Sequence, residues 1–145
     1  MLIADVLRRK GPDVVKVVTT DSVAAAVKKL SERRIGALIV EDQWMKLVGI
    51  FSERDLLNAI ARQGAHVLDL QVHELMTTHV ITCHSSDRID AALALMTMRR
   101  IRHLPVVDDD QLKGIISIGD LVKYRLDEKE LEASTLLDIS RRRAG

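Results

Sequence analysis

The sequence predicts an α+β protein in which two β-α-β-β-α repeats pack sheet to sheet with pseudo-twofold symmetry, followed by a C-terminal helix. Two internal matches predict this fold: a segment of 11 residues recurs 66 positions later, and a strand-to-helix junction recurs 65 positions later. A composition of 47% apolar and 30% charged residues is typical of a globular chain. We expect a first repeat over 1–66, a second over 67–127 and a helical tail over 128–145.

The longer match places ERRIGALIVED, residues 32–42, over MRRIRHLPVVD, residues 98–108. The second match places GIFSERD, residues 49–55, over GIISIGD, residues 114–120. The offset changes by one residue in the polar turn between the two segments, where duplicated hairpins tolerate an insertion. The chain therefore contains one structural unit twice.

Each unit is expected to open with a short β-branched strand, VVKVV at 14–18 and VIT at 80–82. Asp21 and Asp87 then stand where helix N-caps are expected. Apolar residues recur behind them at i, i+4 and i+7, which predicts an amphipathic helix of about three turns in each unit. These residues are Val23, Val27 and Leu30 in one unit, and Ile89, Leu93 and Met96 in the other.

The segments ALIV and LPVV predict the next strand of each unit, and a polar turn returns the chain into LVGIF or LKGIIS as a hairpin. A second helix is expected to begin at each Ser-x-x-Asp. The first of these helices should end near Gly64, a favourable residue beyond a helix C-terminus. The other has no such stop and is expected to continue into the tail. Its leucines drift off a single face, which favours a docked or dimer-packing tail over a coiled coil; they are Leu121, Leu126, Leu131 and Leu136.

The repeated Ser-x-x-Asp motif, Ser52 with Asp55 and Ser117 with Asp120, has two interpretations. In one it is a capping box, in which the Ser side chain and the carboxylate satisfy backbone amides of the first helical turn. In the other the carboxylate accepts hydrogen bonds from the two hydroxyls of a ribose. The two interpretations do not exclude each other.

Charge and cysteine content exclude several classes of function. The net charge is +1, from 22 basic and 21 acidic residues, so no global field favours nucleic acid. Cys83 is the single cysteine, which rules out an internal disulfide and favours a reducing compartment. No apolar run approaches the ~18 residues of a membrane span. We expect a cytoplasmic protein without a nucleic-acid or membrane partner.

Catalytic and metal sites are not expected. Neither Ser has a His and a third carboxylate at a recognisable spacing, and the chain has no phosphate-binding glycine loop. His79, Cys83 and His84 are close in sequence, but alternation along a strand would not place all three on one face. We therefore expect a binding protein and not an enzyme, with no metal and no required cofactor.

The ordered, repeated set of motifs resembles a tandem pair of CBS domains, the cystathionine-β-synthase type, over about residues 2–127. The resemblance rests on MTTHVIT at 76–82, RRIRHLPVVDDD at 99–110 and the paired GIFSERDLL and GIISIGDLV. It implies a small stand-alone regulatory module of the prokaryotic kind. Such a module binds AMP, ADP, ATP, NAD or S-adenosylmethionine in clefts between the repeats, forms a homodimer and signals to a protein target not identified by the sequence.

The resemblance also implies two clefts, each built around one Ser-x-x-Asp, with apolar walls that sandwich an adenine. Around Ser117 and Asp120 it implies Gly11, Val14, Val15, Ile35, Gly36 and Ala37. Around Ser52 and Asp55 it implies Thr77, Val80, Ile81, Ile101, Arg102 and His103. The strand residues among them, such as Val14 and Val80, are also expected in the core. The alternative function is a ligand-free dimerisation scaffold in which both Ser-x-x-Asp motifs are only helix caps.

Within these clefts, Arg102 offers a guanidinium suited to phosphate oxygens, although a solvated surface role is equally expected. Arg34 and Arg100 are expected to complement helix C-termini. Family members often have a hydroxyl residue before the Asp, whereas this chain has Arg54 and Gly119. The two clefts are therefore expected to differ in affinity.

Overall fold

The computed structural model describes residues 1–11 and 13–144. One sheet consists of β1, β2 and β3, with β1 parallel and β3 antiparallel to β2. A second consists of the antiparallel pair β4 and β5. The strands are β1 (Lys16–Val18), β2 (Ala37–Glu41), β3 (Leu47–Ser52), β4 (His103–Asp108) and β5 (Gln111–Ser117). The helices are α1 (Ile3–Lys10), α2 (Val23–Arg33), α3 (Glu53–Gln63), α4 (Ile89–Arg99) and α5 (Ile118–Ala144).

The two hairpins have the same register, which confirms the α+β fold of two repeats with a C-terminal helix. Val40 lies opposite Gly49 in the first, and Val106 lies opposite Gly114 in the second. In both hairpins the register shifts at the residue that follows the valine. The buried apolar side chains form two clusters, one centred on Phe51 and the other on Leu104 and Ile116.

The strand expected at 80–82 is wrong, since the second repeat retains only a single parallel bridge between Cys83 and Val106. In the first repeat, the amide of Ile39 donates to the carbonyl of Val15 over 3.2 Å and extends the pairing. The equivalent residue of the second repeat is Pro105, which has no N–H to donate. The ladder therefore shrinks to one bridge.

The expected N-caps are also wrong. Ser22 caps α2 by accepting from the amide of Ala25, and α4 begins after Arg88 without a side-chain cap. Asp21 and Asp87 instead accept from backbone amides three residues upstream, at 3.0 and 2.9 Å. Their carboxylates close the turns that precede the helices and do not reach the first helical amides.

Each repeat begins with a segment that packs on the other repeat. We call it the lead segment; it starts at Leu2 in the first repeat and at Gln71 in the second. Helix α1, which the sequence reading missed, places Ile3 in the core of the second repeat, where the amide of Ile3 donates to the backbone carbonyl of Asp87 over 2.8 Å. Val72 lies in the core of the first repeat, and its amide donates to the backbone carbonyl of Asp21 over the same distance. This exchange joins the two halves through backbone hydrogen bonds.

Helix α5 runs without interruption into the tail, as expected from the missing stop signal, and α3 ends at Gly64. Leu121 is fully buried, whereas Leu126, Leu131 and Leu136 are 59–69% exposed. The leucines past the core are thus open to solvent within the described chain. The last tail residue, Gly145, lies outside the described residues.

Candidate functional site

Both Ser-x-x-Asp motifs cap the helices that follow them. Ser52 Oγ accepts from the amide of Asp55 over 3.2 Å, and Asp55 Oδ2 accepts from the Ser52 amide over 2.9 Å. Ser117 and Asp120 repeat this pair of bonds at 3.0 and 2.9 Å. The capping role is therefore confirmed for both motifs.

Asp55 makes further contacts at the edge of β3. Its Oδ2 also accepts from the Ser52 hydroxyl over 3.1 Å, and its Oδ1 accepts from the Thr77 hydroxyl over 3.1 Å. Thr77 is held in place by two backbone hydrogen bonds to Ile50, at 3.0 and 2.9 Å. A carboxylate offers about four acceptor positions, so Oδ1 keeps capacity for another hydroxyl group.

Asp55 lies at a cavity of about 240 Å³ that both repeats line. The first repeat contributes Gly36, Ile50, Ser52, Glu53, Arg54 and Asp55. The second repeat contributes Thr77, Arg100, Ile101, Arg102 and His103. We call this space the Asp55 cleft. It combines two carboxylates with three guanidinium groups and an apolar wall.

Arg100, one of the three arginines that line the Asp55 cleft, has an unusual backbone conformation. Arg100 follows α4 with φ of 53° in the left-handed region, where glycine is the ordinary residue. Arg34 has the same conformation after α2, so both arginines end helices as expected. The Arg54 guanidinium donates to the Arg100 carbonyl over 3.5 Å, which ties α3 to the second repeat. The sequence reading missed that Arg54 and Arg100 line the cleft.

The His103 ring lies against Gly36. A Cβ added at Gly36 would lie 3.0 Å from the Cε1 and Nε2 atoms of His103, so a larger residue here would require the ring to shift. Burial, with the positive charges of Lys10 and Arg102, lowers the pKa of His103. Asp120 and Glu53 oppose that shift. The neutral imidazole is therefore the form that this wall presents at neutral pH.

The surroundings of Asp120 differ from those of Asp55. Lys10 Nζ donates to Asp120 Oδ2 and to the Ile115 carbonyl, both over 2.7 Å. Burial by itself would raise the pKa of Asp120, but hydrogen bonds from Lys10 and Ser117 outweigh it and the pKa is lowered. A cavity of about 250 Å³ lies beside this ion pair, lined by Val6, Arg9, Lys10, Asp120, Lys123 and Tyr124.

The residues implied around Asp55 separate into three places. Thr77, Ile101, Arg102 and His103 line the Asp55 cleft. Val80 lines a different groove between the two hairpin tips, and Ile81 packs against the second core. A binding role for each of them stays a prediction.

The residues implied around Asp120 are not gathered at its carboxylate. Val15 and Ile35 pack against the first core, and Ala37 is buried. Gly36 faces the Asp55 cleft instead. Two others lie close to the end of α1, Gly11 as its C-cap and Val14 as a half-buried residue before β1. None of the six lines the cavity beside Asp120 in the described part of the chain.

Two other features bear on the function. Among residues 1–11 and 13–144, no group of three or more His, Cys, Asp or Glu side chains is arranged to hold a metal ion, and no helix has the length and apolarity of a membrane span. Burial and the charges of Asp87 and Asp108 raise the pKa of Cys83 to about 12. This thiol therefore stays protonated at neutral pH.

Comparison with known proteins adds a family match over most of the chain. The CBS domain model matches residues 3–62 and 72–127. A mitochondrial CBS domain-containing protein of Arabidopsis thaliana, CBSX3, is 35% identical over 142 residues, which cover 92% of this chain and 69% of the relative. An uncharacterized 33.4 kDa protein of Thermofilum pendens is 36% identical over 108 residues, but the chain spans only 35% of its length.

Solved structures show the same architecture. The CBS-domain containing protein ATU1752 of Agrobacterium tumefaciens superposes with a TM-score of 0.84 at 43% identity, covering 86% of this chain and 99% of that one. The CBS domain pair of MJ0100, in complex with 5′-methylthioadenosine and S-adenosylmethionine, gives 0.77 at 28% identity, with coverage of 88% and 98%. PAE2072 of Pyrobaculum aerophilum, complexed with AMP, gives 0.73 at 26% identity, with coverage of 83% and 89%.

Proposed function

The chain belongs to the CBS-domain family, and on that premise we propose that it is a regulatory module that binds an adenine nucleotide in the Asp55 cleft. One observation carries the proposal: the Asp55 carboxylate of the first repeat lines a cavity that Arg100 and Arg102 of the second repeat also line. A carboxylate suits the hydroxyls of a ribose, and guanidinium groups suit phosphate oxygens. The complexes of MJ0100 and PAE2072 support an adenosine-containing ligand.

The position of each group suggests how a nucleotide would lie. Asp55 stands at the first turn of α3, and Oδ1 is the carboxylate oxygen with spare acceptor capacity. Ile50 and Ile101 supply apolar wall for a planar base. Arg54 stands where many family members have a hydroxyl residue before the Asp, and Arg100 and Arg102 add two further guanidinium groups to the cleft. A ligand that carries charged phosphates should therefore bind here more tightly than an uncharged adenosine derivative.

Binding of a nucleotide is expected to change the contact between the repeats, because residues of both repeats line the Asp55 cleft. A ligand that touches Asp55 and Arg102 links the start of α3 to the start of β4. A partner protein that binds one arrangement of the repeats more tightly would respond to the ligand, with a coupling free energy of ~1–3 kcal/mol between the two binding events, as in allosteric proteins generally. The cytoplasmic location and the absence of catalysis stay predictions.

Thermal unfolding with a set of ligands tests the nucleotide proposal. AMP, ADP, ATP, NADH, S-adenosylmethionine and 5′-methylthioadenosine are each added to the protein. We expect at least one phosphate-bearing ligand to raise the melting temperature, with ~2.7 kcal/mol of stabilisation at 100 times its Kd. The thioether 5′-methylthioadenosine, which has no phosphate, should give a smaller shift. If every ligand leaves the melting temperature unchanged, the ligand-free scaffold is the better description.

We also propose that two copies of the chain pair through α3 and the first turns of α5. Leu57 and Val122 occupy equivalent positions of the two repeats and are 68% and 46% exposed. Leu126 extends the apolar surface of α5. Because α3 and α5 present related faces, a twofold axis can place each against the other helix of a second copy. Such a pairing would cover the exposed side chains of Leu57 and Val122 in both copies.

Sedimentation analysis of Leu57→Asp tests this dimer. The wild-type chain should sediment at about twice its 16.2 kDa mass, and the variant as a monomer, because a charge at a buried interface lacks a partner. Leu131→Asp is the matched control, since Leu131 is equally exposed but lies ~140° around α5 from Leu126. A monomeric wild type, or a dimer that survives Leu57→Asp, would contradict the proposed interface.

A further inference from the structure

The Asp120 carboxylate already has a cationic partner from the chain itself. The positions around it repeat those of the Asp55 cleft: Ser117 corresponds to Ser52, and Ile115 to Ile50. In the first repeat, the backbone of Ile50 pairs with Thr77, whose hydroxyl meets Asp55. In the second, the ammonium of Lys10 contacts both the Ile115 carbonyl and Asp120. A charged side chain thus takes the place of a backbone segment with a neutral hydroxyl.

A difference in length between the lead segments brings Lys10 to this position. Leu2 and Gln71 make equivalent bridges, and Val17 and Cys83 are equivalent strand positions. Val17 follows Leu2 by 15 positions (17 − 2), whereas Cys83 follows Gln71 by 12 (83 − 71), so the first lead segment is three residues longer. The extra residues let α1 continue to Lys10, where Gly11 ends the helix with φ of 93°.

The contact is a partly buried ion pair. The side chains of Lys10 and Asp120 are 31% and 27% exposed, so water screens the pair less than it would at the surface. Lys10 also acts on His103 of the Asp55 cleft, where its charge contributes to the lowered pKa. The lysine therefore contacts Asp120 directly, and its charge also reaches one residue of the Asp55 cleft.

We propose that Lys10 is an internal occupant that keeps the Asp120 site closed to nucleotides. This inference rests on the proposed function, because it treats Asp120 as a second ribose acceptor. A ligand can use that carboxylate only after the ammonium has left, which also breaks the bond to the Ile115 carbonyl. The chain therefore has one open site and one closed site, and the open site fills first.

Binding stoichiometry of Lys10→Met tests the inference. Methionine keeps an unbranched apolar stem but removes the charge. Isothermal titration with AMP, and separately with 5′-methylthioadenosine, should give about one molecule per wild-type chain and about two per Lys10→Met chain, a twofold rise. The double variant Lys10→Met/Asp120→Ala should return to one. Arg8→Gln, at an exposed neighbour on α1 outside both sites, should stay at one.

The outcomes separate this inference from the proposed function. A wild type that binds nothing, with a Lys10→Met variant that binds one molecule, would reject the open Asp55 site but support the closure by Lys10. A stoichiometry that is the same in wild type and Lys10→Met would overturn the closure, whatever its value. A second substitution, Lys10→Gln, gives the same readout if the methionine variant unfolds.

Discussion

Asp55→Ala should weaken nucleotide binding to the Asp55 cleft by ~10- to 100-fold, because the variant loses the carboxylate that accepts from a ribose hydroxyl. A hydrogen bond to a charged group contributes ~1.5–3 kcal/mol, which corresponds to a loss of this size. The variant also loses the bond to the Ser52 amide, which should lower its free energy of unfolding by ~1 kcal/mol. Titration calorimetry and chemical denaturation measure the two effects separately.

Asp5→Ala is the matched control for this prediction. Asp5 accepts from the Leu2 amide over 2.9 Å at the same position of the first turn of α1, outside the Asp55 cleft. Its removal should reduce stability by a similar amount and leave the affinity unchanged. If Asp5→Ala weakens binding as much as Asp55→Ala, the loss reflects the fold and not a ribose contact. If Asp55→Ala binds normally, Asp55 is only a cap.

Gly49→Ala should destabilise the protein far more than Gly114→Ala, although the two glycines are equivalent. A Cβ at Gly49 would lie 2.5 Å from the Met76 sulfur and 3.1 Å from the Thr77 carbonyl oxygen. Thr77 cannot shift freely because its backbone pairs twice with Ile50. Overpacking of this kind costs ~1–3 kcal/mol. Since Thr77 also contacts Asp55, the variant should lose nucleotide affinity as well.

At Gly114 the nearest obstacle is a single methyl group, Leu7 Cδ2, at 2.7 Å. This atom is the far end of a flexible side chain on α1, and it can rotate away at a small energetic cost. Denaturant unfolding of both variants, with AMP binding measured in parallel, checks the comparison. Equal destabilisation of the two proteins would show that the tight contact at Gly49 relaxes as easily as that at Gly114.

Local signals in the sequence predicted most of the fold. Gly64 marked the end of α3, and the missing stop after Leu121 correctly indicated a continuous α5. The failures have specific causes. The strand at 80–82 does not form because Pro105 lacks an amide proton in the neighbouring strand. Helix α1 was missed because only a few apolar residues precede its basic last turn.

The candidate site was less predictable than the fold. The sequence shows the Ser-x-x-Asp pairs and the arginines at the ends of α2 and α4, since each of these features depends on residues a few positions apart. The grouping of Arg54 with Arg100 depends on how two repeats meet, as does the contact of Gly36 with His103. Such contacts could be anticipated only by treating both repeats as one body and asking which equivalent edges face each other.

The repeated segments alone indicate that one structural unit occurs twice and that each copy places a Ser-x-x-Asp at the start of a helix. The difference between the two carboxylates depends on long-range contacts, because Asp55 lines a cleft between the repeats and Asp120 is bonded to Lys10. The two kinds of contact span very different separations along the chain. A cap forms between residues three apart, whereas Lys10 and Asp120 are 110 residues apart and meet only because α1 crosses to the second repeat.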